Sequence, residues 1–186
     1  MAAAGTLLVL GDSLSAGYGM QPSQGWVSLL KHRLKQEYPD IKVVNASISG
    51  ETTEGGVSRL PDLIEEHHPD WVIIELGAND GLRGTPIPLI EENLNGLISM
   101  TQEVGAKPLL IGMRLPPNYG PRYTEQFFSI FTTLSEQREI TLVPFLMEGV
   151  ALDMSLIQSD GLHPNAKAQP ILLETVWGGL TSLLED

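Results

Sequence analysis

A serine, an aspartate and a histidine occur in this chain in an order that can build a nucleophile and its base. Ser13 follows the apolar run Thr6-Leu7-Leu8-Val9-Leu10 and the pair Gly11-Asp12, where a strand would end. A hydroxyl there becomes a nucleophile only if a base takes its proton and an oxyanion site receives the developing charge. An isolated serine at such a place simply caps the next helix. Asp160 and His163 can supply the base. A carboxylate three residues before an imidazole turns back onto its Nδ1 hydrogen, fixes the tautomer and leaves Nε2 as an acceptor. The alternative is a loop aspartate and an exposed histidine ahead of a helix begun by Pro164 and Asn165. Gly50 and Asn79, with the Ser13 N–H, are the candidate oxyanion donors. Glycine allows close backbone approach, and an amide donor cannot be lost by titration. Each, taken alone, reads as a turn residue. Asp12 is placed to accept backbone N–H groups and brace the turn that carries Ser13. His32, His67 and His68 fall on polar helix faces or at a helix end and read as solvated.

Two rival chemistries use some of the same residues. Asp160, His163 and Asp80 could hold a metal, but the paired-histidine spacing of strong zinc sites is missing, and no metal or cofactor is expected. The glycines from Gly11 to Gly19 follow a strand, as in a nucleotide-binding module. They form neither G-x-G-x-x-G nor Gly-Lys-Ser/Thr, so phosphate cradling is poorly supported. Labelling of Ser13 by a fluorophosphonate separates a serine hydrolase from such a binding module.

The composition narrows the partners. The chain has 186 residues, which predicts one domain over 1–186. Against 11 Lys+Arg stand 23 Asp+Glu, a net charge of −12, which repels phosphate backbones and anionic membrane surfaces. No run of eighteen apolar residues is present to span a membrane. Cysteine is absent, which excludes disulfides, thiolate nucleophiles and cysteine metal sites. The start Met1 to Gly5 shows no basic region and no apolar core of a signal peptide, so a cytoplasmic start fits these residues as well as a mature end with an added Met.

The elements that must position these residues follow from the apolar pattern. Strands are expected at Thr6–Leu10, Ile41–Ala46, Trp71–Ile74, Pro108–Gly112 and Leu142–Phe145, the last at an edge because Pro144 lacks a donor. Helices are expected from Trp26 to Leu34, Leu60 to His68, Leu89 to Val104, Phe127 to Arg138 and Ile171 to Leu184. Such alternation with continuously apolar strands predicts an α/β fold, a parallel sheet with helices on both faces. Ligands then bind at the carboxyl ends of the strands. The clusters Gly11-Asp12-Ser13, Ser49-Gly50-Glu51 and Gly77-Ala78-Asn79-Asp80 all follow strand ends, so the unusual chemistry gathers on one rim.

Gly11-Asp12-Ser13-Leu14-Ser15, then Gly50, Gly77-x-Asn79-Asp80 and Asp160-x-x-His163-Pro164 resemble, in this order, the GDSL or SGNH hydrolases. The segments Asn45 to Thr52, Asn79 to Gly84 and Arg114 to Gly120 are similar to the bacterial branch of multifunctional thioesterases, lysophospholipases and arylesterases. The resemblance implies a three-layer, flavodoxin-like α/β/α sandwich. It implies Ser13 as nucleophile, His163 as base and acid, Asp160 as orienting carboxylate, and Ser13, Gly50 and Asn79 as the oxyanion hole. It further implies ester and thioester hydrolysis, a periplasmic or secreted location and a monomer. The serine context differs from the G-x-S-x-G elbow of α/β-hydrolases.

The substrate is open between acyl esters and the O-acetylated carbohydrates served by the same sequence blocks. Leu82, Ile87, Pro88, Leu115 and Pro116 are apolar residues of rim segments that could bury an acyl tail, Leu82, Leu115 and Pro116 foremost; they could equally cap the core. The rim offers few aromatic platforms for a sugar, Tyr119 and Tyr123 being the main ones.

Overall fold

The computed structural model describes residues 4–185, so Met1 to Ala3 of the N-terminal reading lie outside the described residues. Five strands, β1 (Gly5–Gly11), β2 (Ile41–Asn45), β3 (Trp71–Glu75), β4 (Lys107–Ile111) and β5 (Thr141–Val143), form one parallel sheet in the order β2-β1-β3-β4-β5. Seven α-helices accompany them: α1 (Ser13–Ala16), α2 (Trp26–Glu37), α3 (Thr53–His67), α4 (Ala78–Leu82), α5 (Ile87–Glu103), α6 (Pro121–Arg138) and α7 (Gln169–Glu185). Helices α2 and α7 pack together on one face, and α3, α5 and α6 on the other, giving the three-layer α/β/α sandwich.

Strand position explains strand composition. β3, in the middle, is buried along its whole length, so Trp-Val-Ile-Ile is apolar without alternation. β2, at the edge, alternates buried Ile41 and Val43 with exposed Lys42. The helices bury the stripes their spacing announces: Trp26, Val27, Leu30 and Leu34 of α2, and Ile90, Leu94, Leu97 and Ile98 of α5. The Phe127 and Phe131 rings meet edge to face at 5.5 Å inside the α6 layer.

Three differences from the sequence reading have physical causes. α3 and α6 begin well before their apolar stripes. The Thr52 hydroxyl accepts the Gly55 N–H at 3.2 Å and starts α3. Pro121 occupies the first turn of α6, where its missing donor costs nothing. β5 is an edge strand but stops at Val143, because Pro144 has no N–H to continue the ladder. Among the described residues no helix is long and apolar enough to cross a membrane.

Gly112 shows how tightly the end of the sheet is closed. Its N–H donates to Val143 O at 2.8 Å, and its carbonyl accepts the Leu146 N–H at 3.1 Å. A Cβ at this position would stand inside the contact shell of the Pro144 carbonyl oxygen, a backbone atom that cannot rotate away. Gly112→Ala is therefore expected to lower Tm by about 5 °C, the scale of an overpacked core in a chain of this size. An unchanged melting curve would contradict that constraint.

Candidate active site

Gly11 ends β1, and the chain turns at once into the four-residue α1. Asp12 caps that helix, its Oδ1 accepting the Leu14 N–H at 2.9 Å, so Ser13 is the first helical residue rather than the cap. Ser13 remains half-buried while Asp12 and Ser15 on either side are buried. A Cβ on Gly11 would lie 2.8 Å from both Glu75 Oε2 and Ser15 Oγ, so only glycine admits those groups beneath the turn.

The imidazole arrives from the other end of the chain. His163 Nε2 lies 2.9 Å from Ser13 Oγ, and His163 Nδ1 lies 2.7 Å from Asp160 Oδ2. Asp160 turns its other oxygen to the backbone of its own loop, accepting the Leu162 N–H at 2.9 Å and the His163 N–H at 3.0 Å. Gly161 makes this turn possible with φ 72°. Those two backbone donors, together with the imidazole, hold the Asp160 carboxyl down at about 2. The loop is pinned by a bridge between Ile157 and Pro164 and by the Gln158 N–H donating to His163 O at 2.7 Å. Gln158 Nε2 also donates to Tyr18 O at 2.8 Å, and the Tyr18 ring lies over the imidazole with centroids 4.5 Å apart.

Asn79 and Gly50 come from the two neighbouring strand ends. Gly77, at φ 115°, turns the chain from β3 into α4, and Asn79 sits in the first turn of that helix. Its Nδ2 donates to Asp12 Oδ2 at 3.1 Å and to Glu51 O at 2.9 Å. The amide thus stands between the segment of Ser13 and the segment of Gly50. Gly50 has φ 83°, is exposed, and has nothing within 4 Å of the place a Cβ would take. Its loop is tied by Arg59, which donates to Glu51 Oε2 at 2.6 Å and Ala46 O at 2.7 Å, and by Arg83, which donates to Gly50 O at 3.2 Å.

Other sequence candidates fall elsewhere. Asp80 is buried and accepts the Thr53 hydroxyl at 2.7 Å and the Thr53 N–H at 2.9 Å. It joins α4 to α3 and does not face the imidazole. Among the described residues no group of three or more His, Asp or Glu side chains converges as a metal site. Leu115, placed on the rim by its loop position, is instead buried against Gly81, since a Cβ on that glycine would lie 2.6 Å from Leu115 Cδ2. Leu82 is half-buried and Pro116 exposed, while Ile87 and Pro88 belong to the first turn of α5. Tyr119 and Tyr123 donate their hydroxyls to Leu82 O at 2.9 Å and Thr85 O at 2.7 Å, tying rim segments together. His32 and His68 are exposed, but His67 is half-buried against its helix end.

Glu75, absent from the sequence candidates, is fully buried below Ser13. It accepts the Ser15 hydroxyl at 2.6 Å and the Asp12 N–H at 3.3 Å. Burial and the neighbouring Asp12 raise its carboxyl well above the usual range, and burial pushes Asp12 up to about 6. The signal was a carboxylate closing an otherwise apolar strand, which only the strand register makes interpretable.

The profile described as the GDSL-like Lipase/Acylhydrolase family matches residues 9–170. The chain is 52% identical over 183 residues to Esterase TesA of Pseudomonas aeruginosa, covering 98% of this chain and 91% of that protein. It is 47% identical over 173 residues to the Thioesterase 1/protease 1/lysophospholipase L1 of Escherichia coli, covering 93% and 82%. The crystal structure of the psychrotrophic esterase EstA from Pseudoalteromonas sp., described as inhibited by monoethylphosphonate, superposes with a TM-score of 0.93 at 45% identity, over 98% of this chain and all of that one.

The raised carboxyl of Glu75 has a thermodynamic sign. In the unfolded chain Glu75 loses its proton above its ordinary value of 4.5, whereas the folded protein keeps it to much higher pH. The folded state then binds more protons, so this residue lowers stability as pH rises. Glu75→Gln removes the titration while keeping the shape. The difference in Tm, variant minus wild type, is expected to grow from mildly acidic to mildly alkaline pH; a constant difference would mean Glu75 is ionised in both states.

Proposed function

The chain belongs to the GDSL-like lipase/acylhydrolase family, and on that premise we propose that Ser13, His163 and Asp160 carry out serine-dependent hydrolysis of carboxylic esters and thioesters. The observation that carries the reading is the unbroken line from Asp160 Oδ2 through the imidazole to Ser13 Oγ, with steps of 2.7 and 2.9 Å. Asp160 accepts a hydrogen bond from the Nδ1–H of the neutral imidazole, which leaves Nε2 a lone pair directed at the hydroxyl. His163 accepts the Ser13 proton as Oγ attacks the acyl carbon. The same proton then passes to the departing alcohol or thiol, leaving an acyl-serine. Water repeats the sequence: it gives its proton to His163, attacks the acyl carbon and releases the acid and Ser13.

The Ser13 and Gly50 N–H groups and the Asn79 amide are assigned to the oxyanion of both tetrahedral intermediates. The positive φ and open surroundings of Gly50 support a carbonyl approaching its backbone. Inhibition of the similar EstA by a phosphonate also supports the serine route, because phosphonates react with activated hydroxyls. The relatives named esterase and thioesterase set the substrate class. We assign the acyl tail to the surface of Leu82 and Pro116, with buried Leu115 beneath, at about 0.8 kcal/mol for each methylene covered. Hydrolysis rates across ester chain length test this assignment. We place the enzyme in the periplasm or outside the cell, as a monomer, following its resemblance to the thioesterase and lysophospholipase branch. Cell fractionation and sedimentation are the direct tests.

Two variants test the chemistry. Ser13→Ala is expected to retain the wild-type melting curve, to lose ester and thioester hydrolysis, and to lose stoichiometric labelling by a fluorophosphonate. More than a few per cent residual activity in a clean preparation would overturn the nucleophile. Asn79→Ala is expected to lower kcat by roughly 10²–10³ with a smaller change in KM, as for an oxyanion donor acting in the transition state. A lowered Tm with unchanged kcat of the folded fraction would leave Asn79 a purely structural residue.

A further inference from the structure

The geometry points to Glu75 as a positioning residue for the hydrolytic reaction, a neutral acid that holds Asp12 so that Asp12 can hold the Asn79 amide. The inference rests on the oxyanion role proposed for Asn79. It starts from an unusual burial. Glu75 is 0% exposed and Asp12 1%, and neither forms an ion pair with a lysine, arginine or histidine among the described residues. Two buried carboxyl groups joined through the Asp12 N–H, with no cation between them, cannot both be ionised, so the pair keeps a proton.

The surrounding groups decide which acid carries it. Asp12 receives the Leu14 N–H at 2.9 Å and the Asn79 amide at 3.1 Å, and it feels the His163 imidazole; Asp80 opposes these. Glu75 receives only the Ser15 hydroxyl at 2.6 Å and a long bond from the Asp12 N–H at 3.3 Å, both on Oε2. Its Oε1 is buried and no donor among the described residues reaches it. A bare carboxylate oxygen in that position would be costly, whereas a protonated Oε1 carries no charge that needs a donor. Glu75 therefore holds the proton, on Oε1, and Asp12 remains the carboxylate.

A chain of hydrogen bonds then runs beneath the nucleophile: the Ser15 hydroxyl and the Asp12 N–H to Glu75, and the Asn79 amide to Asp12. Asp12 is fixed by its own N–H on Glu75 and by the Leu14 N–H and Asn79 amide on its carboxylate. Through its Oδ2 it fixes one hydrogen of the Asn79 amide; the other lies on Glu51 O at 2.9 Å and is the one an arriving oxyanion would share or take over. The plane of the amide, and hence the place from which it meets an oxyanion, is set from below. An ionised Glu75 would repel Asp12 and release that plane.

The test compares Glu75→Gln, Glu75→Leu and Asn79→Ala in one assay, with kcat referred to the folded fraction. Glutamine keeps an uncharged acceptor for the Ser15 hydroxyl and the Asp12 N–H, and is expected to keep kcat within a few-fold. Leucine removes both bonds and is expected to lower kcat roughly 10–100-fold, the scale seen when partners that orient functional groups are lost, with little change in KM. Infrared spectra at neutral pH are expected to show the carbonyl stretch of an un-ionised carboxylic acid in the wild type and its loss in Glu75→Gln. Wild-type kcat in Glu75→Leu with a lowered Tm overturns the positioning role. So does a Gln variant as impaired as Leu, or the absence of the infrared band. If Glu75→Leu does not fold, the Gln variant and the infrared band decide. Full turnover in Asn79→Ala would instead bring down the oxyanion reading, and this inference with it.

Discussion

The site depends on the register of two neighbouring parallel strands. β1 pairs with β3 so that Gly11 stands opposite Glu75. Both strands end at the same height, and the segments that follow, one bearing Asp12 and Ser13 and the other Gly77 and Asn79, emerge side by side. A slip of one residue would turn every side chain of either strand to the other face and carry Glu75 out from under the Ser13 turn. The strand order β2-β1-β3-β4-β5 places this pair at the point where successive crossovers part to opposite faces, the crevice where ligands bind in open α/β sheets. The Gly50 loop follows β2 on the other side of β1, so three adjacent strands feed one rim.

Besides Glu51, which pairs with Arg59, that rim carries four acids in a protein of net charge −12, and each of these four is accommodated by a different device. Asp160 rests on backbone N–H groups and an imidazole. Asp80 is held by the Thr53 hydroxyl and N–H. Asp12 accepts a helix N–H and an amide. Glu75 alone has no compensating set of donors on both oxygens. Hydrogen bonds rather than cations hold these groups, and the arginines nearby, Arg59 and Arg83, are spent on the Gly50 loop. Those guanidinium groups stiffen backbone carbonyls, so the loop is fixed without placing a positive charge against the Asp12–Glu75 pair.

The legible parts were those with a long-range apolar signal. Strands buried on both faces announce themselves as unbroken runs, and Trp71 to Ile74 was read from that alone. The helices that pack on them were legible from their stripes but not from their first turns, since Thr52 and Pro121 act by capping and by fixed φ, which carry no hydrophobic period. α1 and α4, of four and five residues, are too short for any period and exist because β1 and β3 end where they do. The pairing of Asp160 with His163 was legible because it is local. Tyr18 over the imidazole and Glu75 under the serine were not, because each acts across pairings that no local spacing encodes. Whether Leu115 lines the rim or caps the core is not legible for a related reason. Loop position places it at the rim, but the small Gly81 opposite it opens a slot into the core.

The hydrogen bond between His163 and Ser13 closes a span of 150 residues, and it has a counterpart in the Trp26 N–H donated to Gln169 Oε1 at 2.9 Å, across 143. During synthesis on a ribosome, β1 and its serine appear first, and the imidazole appears only after the sheet has been made. Until then Ser13 is an ordinary alcohol on an incomplete fold. On the roles proposed for Ser13 and His163, a chain stalled before His163, or clipped behind the sheet by a protease, cannot acylate itself on cellular esters, and its reactivity is switched on only once the segment that follows the sheet has been made.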